Sequence, residues 1–160
     1  MTPLDSGSPF PKIELRDERG GRAPLPTNES LFAFFKTNCP TCEMAWPFLE
    51  RIRHIGEAGK LQLVAVSQDE PPETREFNRR LGVRVYTLYD PSPWRASETL
   101  GLSYVPTFLL IGSDGVIRDS AIGFQKQKME AFAGRAAALA GRTRQPLFRP
   151  GENVPGIKPG

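Results

Sequence analysis

The apolar positions of this chain change period several times, and each change marks an element. Leu31 to Phe35 is an unbroken apolar run whose length and aromatic content suit a buried strand. After Lys36, Thr37 and Asn38 the spacing lengthens. Met44, Phe48, Ile52 and Ile55 recur three or four residues apart, which predicts a helix from Pro40 to about Ile55, stopped by Gly56 and Gly59. Pro40 suits the first turn, and Asn38 or Cys39 would cap it. Pro47 should bend the helix, because it removes an internal hydrogen bond. Leu61 to Ser67 is apolar on both faces, as in a strand in the middle of a covered sheet.

The remaining pattern is weaker but consistent. Glu73 to Leu81 reads as a polar helix closed by Gly82, Val83 to Tyr89 as a third strand, and Trp94 to Leu100 as a short helix ended by Gly101. Phe108 to Ile111 and Val116 to Ser120 flank Ser113-Asp114-Gly115, a hairpin turn. Gln125 to Ala140 is the last helix, with Met129, Phe132, Ala136 and Leu139 on one face. At the other end, Phe10 to Leu15 alternates enough for a short edge strand. The expected layout is a flexible lead over 1–9, one domain over 10–141, and an extended Pro/Gly/Arg-rich tail over 142–160 with little internal structure. Strand–helix–strand units followed by a hairpin and a helix imply an α/β fold, a mixed sheet with helices on both faces.

Composition narrows the function classes. The chain has 160 residues and a net charge of +3. Its basic residues are scattered among acids rather than interleaved with aromatics, so no nucleic-acid partner is expected. No apolar run approaches the roughly 20 residues of a membrane span. Met1 to Lys12 lacks the basic start and apolar core of a signal peptide, so a cytoplasmic protein is expected; an exported protein with a trimmed leader is the alternative. A monomer is expected.

The chemistry concentrates at Cys39-Pro40-Thr41-Cys42. Two cysteines cannot build a disulfide framework, and only His54 is available as a further soft ligand, too few for a four-ligand zinc site. No metal and no cofactor is expected beyond a redox-active disulfide between Cys39 and Cys42. Both thiols fall at a strand-to-helix junction, where unpaired N–H groups and the positive helix end stabilise a thiolate. Cys39 at the tip would be the exposed, attacking sulfur; Cys42, one turn in, would be shielded and would resolve the mixed disulfide. Lys36 could add a positive field near the thiolate, although a lysine at a strand end is commonly just solvated. Trp46 shares the helix face of Cys42 but fits core packing better. Trp94 could border a substrate groove or simply staple a short helix. His54, about 20 Å along the helix at about 1.5 Å per residue, is too far away to take part.

This order of elements, with the Cys-x-x-Cys after a buried strand and Val105-Pro106-Thr107-Phe108 before the hairpin, resembles the thioredoxin superfamily. The closer similarity is to the TlpA/ResA-like and AhpC/TSA-like thiol–disulfide oxidoreductases, over about Phe10 to Ala140. The resemblance implies a thioredoxin-like fold with an extra strand–helix insertion at Glu73 to Tyr89. It implies that Pro106 is cis and faces the disulfide, and that the Val105 backbone pairs with an extended substrate. Thr107, Pro40 and Thr41 would complete the substrate surface. Three departures stand out. Ala33 replaces a buried Asp of many thioredoxins, Ala45 replaces a Glu of ResA-like proteins, and Asn38 replaces a Trp. Glu43 should point elsewhere, so water or Lys36 would have to help Cys42 lose its proton. The implied function is exchange or reduction of protein or small-molecule disulfides, with a separate electron donor. The alternatives are a peroxiredoxin-like peroxidase, although Cys39 stands where that chemistry places a Thr, and a non-catalytic module for binding or redox sensing.

Overall fold

The computed structural model describes residues 4–57 and 59–160. Its central sheet has strand order β3-β2-β1-β4-β5. The strands are β1 (Ser30–Phe35), β2 (Gln62–Ser67), β3 (Thr87–Tyr89), β4 (Thr107–Ile111) and β5 (Ile117–Ile122). Pairing is parallel for β1/β2 and β2/β3, and antiparallel for β1/β4 and β4/β5. The parallel pairs are joined through α1 (Pro40–Ile55) and α2 (Pro71–Leu81), as parallel strands require. A short α3 (Arg95–Leu100) precedes β4, and α4 (Lys126–Leu139) follows the hairpin. The sheet is mixed, as the sequence pattern implied, and the fold is thioredoxin-like, as the resemblance implied.

Register explains which side chains meet. Ala33 lies opposite Ala65 on one side and Phe108 on the other, so Leu31, Ala33 and Phe35 share a face with Phe108. On that face Phe35 stacks 4.3 Å from Trp46 of α1 and 5.3 Å from Phe77 of α2. Phe108 sits 6.2 Å from Phe132 of α4. Three helices therefore meet over one aromatic cluster. The opposite face carries Phe32 and Phe34, with Phe10 packed 5.2 Å from Phe32. Trp46 is fully buried, which places it in the core and not on the site.

Several boundaries differ from expectation. Phe10 to Leu15 forms no strand. Ile13 and Leu15 are buried by the alternation, but the stretch is pinned only near its ends, by isolated bridges from Pro9 to Val116 and from Arg16 to Tyr89. Helix α2 begins two residues early, at Pro71, where the Glu70 N–H donates to the Glu73 carboxylate. Strand β3 keeps only its last three residues. Helix α1 runs through Pro47 to Ile55.

The termini also need correcting. Residues 1–3 of the expected flexible lead lie outside the described residues, but 4–9 are not free: Leu4 is buried, the Gly7 N–H donates to the Ile117 carbonyl at 2.8 Å, and the Ile117 N–H donates to Ser8 at 2.9 Å. The expected loose tail is docked as well. Leu147 and Phe148 are buried, with the Phe148 ring 4.7 Å from Phe48, and Glu130 accepts the N–H groups of both. Arg51 forks onto Glu152 at 2.7 and 2.6 Å. Together with the Arg149 N–H it holds the Glu152 carboxyl down to about 2. That clamp is complete above the ordinary carboxylate range and is lost only as pH falls through about 2. Finally, β7 (Ile157–Lys158) pairs antiparallel with β6 (Phe124–Gln125). Pro and Gly kept this segment out of helices without keeping it off the surface. Among the described residues, no helix is long and apolar enough to cross a membrane.

Candidate active site

Strand β1 ends at Phe35, and three residues later the chain enters α1 with Cys39, not Asn38, as its cap. Cys39 is extended (φ −118°, ψ 108°), and its Sγ accepts the Cys42 N–H at 3.1 Å. A sulfur thus takes the place of the usual capping oxygen, an acceptor role that a thiolate fills better than a thiol. The Cys39 thiol faces the Val105 carbonyl at 3.6 Å. The Val105–Pro106 bond is cis, and Pro106 is buried. The Thr107 hydroxyl fixes this loop from below by donating to the Tyr104 carbonyl at 2.7 Å, and the Gly123 N–H donates to the Pro106 carbonyl at 2.8 Å. Both thiols are free, and Cys39, expected to be exposed, is instead buried against the cis-proline loop.

Cys42 is fully buried, and burial pushes its thiol well above the ordinary value. Its hydrogen bond with Cys39 pushes the same way. The backbone N–H of Lys36 and, more weakly, the Lys36 ammonium pull in the other direction. Lys36 itself is exposed at the end of β1, so it supports the second thiol from the rim. Ala33 and Ala45 are both completely buried, so neither position brings a carboxylate to Cys42. Glu43 is bound to Arg80, away from the sulfurs. His54 is paired with Glu50 at 3.2 Å, in the last turn of the same helix.

The burial of Cys42 has a measurable consequence. A thiol whose folded value is raised stabilises the fold fully below the unfolded value, and loses that stabilisation as pH climbs toward the folded one. Above about pH 8.5, reduced protein should lose about 1.4 kcal/mol per pH unit relative to a Cys42→Ala variant. Denaturant titrations of both at pH 8 and 10 measure this; equal slopes with pH contradict it.

Beside the thiols runs an open groove of about 570 Å³, bordered by Lys36, Gln68, Trp94, Tyr104, Val105 and Gly160. Trp94 belongs to this groove. It is 48% exposed, its backbone is left-handed (φ 56°), and its indole N–H donates to the Gln68 carbonyl at 2.9 Å. Pro40 is exposed at the helix tip, whereas Thr41 is buried and donates to the Pro159 carbonyl at 2.6 Å. Pro159 and Gly160 gave no sign in the sequence that they belong here. The exposed Tyr104 sits directly before the Val105-Pro106 signal and could have been included on that ground. Among the described residues, no group of three or more His, Cys, Asp or Glu is placed to hold a metal ion.

Comparison with known proteins agrees with this geometry. A model of the AhpC/TSA family matches residues 6–120. Methylamine utilization protein MauD of Paracoccus denitrificans is 26% identical over 156 residues, covering 88% of this chain and 74% of that protein. Thiol-disulfide oxidoreductase ResA of Bacillus anthracis is 26% identical over 124 residues, covering 76% of this chain and 66% of that protein. The chain thus spans about two thirds of the length of its ResA relatives. Among solved structures, a chain described as thiol:disulfide interchange protein DsbE from Chlorobium tepidum superimposes with a TM-score of 0.73 at 22% identity, covering 86% of this chain and 99% of that one. A secreted Mycobacterium tuberculosis disulfide oxidoreductase gives 0.63 at 16%, covering 79% and 96%. At these identities the solved structures speak for the fold.

One expectation is overturned here. A protein that shares this fold is described as secreted, so the cytoplasmic assignment does not stand. The composition of Met1 to Lys12 was its only support, and a folded domain of this kind carries no mark of its compartment.

Proposed function

The chain belongs to the AhpC/TSA family, and on that premise we propose that it is a thiol–disulfide oxidoreductase acting through Cys39 and Cys42. The observation that carries this is the Cys39 sulfur. It caps α1, accepts the Cys42 N–H, and faces the carbonyl of Val105 in the cis-proline loop. The name of the ResA relatives points the same way.

The steps follow from placement. The Cys39 thiolate attacks one sulfur of a substrate disulfide. A Cys39–substrate bond forms, and the substrate's other sulfur leaves as a thiolate that takes up a proton. Cys42 then loses its proton, helped by the Lys36 N–H and ammonium, and attacks the Cys39 sulfur. The substrate's second thiol departs, and a Cys39–Cys42 disulfide remains. An external dithiol donor must reduce that bond to restart the cycle. Val105, Pro106 and Thr107 would hold an extended stretch of substrate by its backbone, with Pro40 and Thr41 beneath it and Trp94 alongside. The same steps run backwards oxidise a dithiol. Direction follows from the potential of the Cys39–Cys42 pair against its surroundings.

Family membership favours one second reading, a peroxidase. It fits this site less well, because the groove lining carries Lys36 but no arginine to activate a peroxide. Turnover of insulin disulfide and of hydrogen peroxide, both with dithiothreitol as donor, separates the two. Disulfide turnover with kcat/KM at least about tenfold above that for peroxide is expected. The reverse order would establish the peroxidase, and no turnover of either would leave a binding module.

A further inference from the structure

The surface around Cys39 has three sides: the edge of β6, the first turn of α1, and the cis-proline loop. One segment of the chain crosses all three. It comes in beside β6, where the Lys126 N–H donates to the Gly156 carbonyl at 2.8 Å and Phe124 and Gln125 pair with Lys158 and Ile157. It then passes over α1, where the Thr41 hydroxyl donates to Pro159. It ends against the loop, with Gly160 so close that a Cβ there would lie 2.0 Å from the Val105 carbonyl oxygen. Gly123 (φ +71°) makes the matching approach from below; a Cβ on it would lie 2.9 Å from the Lys158 carbonyl oxygen. Beneath this crossing Cys39 is only 4% exposed.

The two halves of the tail are held very differently. Its root is fixed by buried Leu147 and Phe148, by Glu130 and by the Arg51–Glu152 fork. Its tip is held by a two-residue ladder and the single bonds from Lys126 and Thr41, with no charged clamp among the described residues and with Ile157 73% exposed. A firm root and a light tip keep a segment at high local concentration while leaving it displaceable.

We propose that residues 154–160 are a strap that occupies the slot of the peptide substrate, pairing with β6 and covering Val105 as an extended substrate would. This rests on the oxidoreductase reading of the same site. Substrates must then be extended peptides able to displace the strap, and a strap closed about nine times in ten lowers apparent affinity about tenfold.

The test compares the full chain with a variant lacking 154–160 and with Gly160→Val, which keeps the length but cannot sit on Val105. The readouts are the alkylation rate of reduced Cys39 by a maleimide and the KM for insulin disulfide. Deletion should raise the first and lower the second about tenfold, with Gly160→Val moving both the same way. A synthetic peptide of residues 153–160, added to the deletion variant, should restore slow alkylation. Unchanged alkylation in the deletion variant would overturn the strap. If that variant does not fold, Gly160→Val alone decides by the same rate. Absence of disulfide turnover in every form would sink the oxidoreductase reading, while the alkylation rates still decide whether 154–160 covers Cys39.

Discussion

Replacing Cys39 by Ser should reduce disulfide exchange by at least about a thousandfold while leaving the fold intact, because a hydroxyl at neutral pH is no substitute for a thiolate. Serine is among the best helix caps, so its Oγ can take the Cys42 N–H that Cys39 Sγ now accepts at 3.1 Å. The capping bond survives and only the nucleophile is lost. Insulin reduction together with a denaturant titration checks both halves. A variant that stays folded, within about 1 kcal/mol of the parent, and has no turnover is the expected result. Retained activity would move the chemistry elsewhere.

Replacing Cys42 by Ser should have a different signature. Cys39 keeps its place as the cap of α1, so the first half of the cycle proceeds once substrate reaches it. Release then fails, because no second sulfur stands one turn in to break the mixed disulfide. Multiple turnover should fall at least about a hundredfold, and the protein should accumulate with substrate attached through Cys39. Intact-mass measurement after mixing with an oxidised peptide reads the adduct directly. A variant that turns over freely, or attaches nothing, contradicts the order of attack assigned here. The trapped partners would also identify the substrate.

The parts of this molecule that could be read from the sequence are those fixed by neighbours along the chain. The apolar run Leu31 to Phe35, the helical spacing of Met44, Phe48, Ile52 and Ile55, and the stop at Gly56 are local signals, and β1 and α1 follow them closely. The thiols were legible for the same reason: their chemistry needs only the junction between those two elements. Phe10 to Leu15 shows the limit of periodicity. Its alternation correctly buries Ile13 and Leu15, but a strand also needs a free sheet edge along its whole length, which no local pattern supplies.

The tail fails for a stronger version of that reason. Leu147 and Phe148 are two apolar residues in a polar, proline-rich stretch, with no period to notice. They dock because Phe48, Phe124 and Glu130, remote in sequence, together make a receiving surface. The pairing of β7 with β6 is likewise two residues long and visible only in three dimensions. Trp94 was ambiguous because its groove position depends on a left-handed backbone, which nothing about tryptophan suggests. Compartment was not legible because the composition of Met1 to Lys12 reflects how Leu4, Gly7 and Phe10 dock on the domain, not where the protein resides.

The central claim is that Cys39 and Cys42 form a reversible bond poised for exchange. Equilibrating the protein with dithiothreitol or glutathione couples and counting free thiols by mass tests it most directly. The account predicts one two-electron transition involving both sulfurs, at a potential between about −120 and −270 mV, where exchange-active dithiols lie. A bond that resists reduction to below about −300 mV, or two thiols that never join, would contradict it.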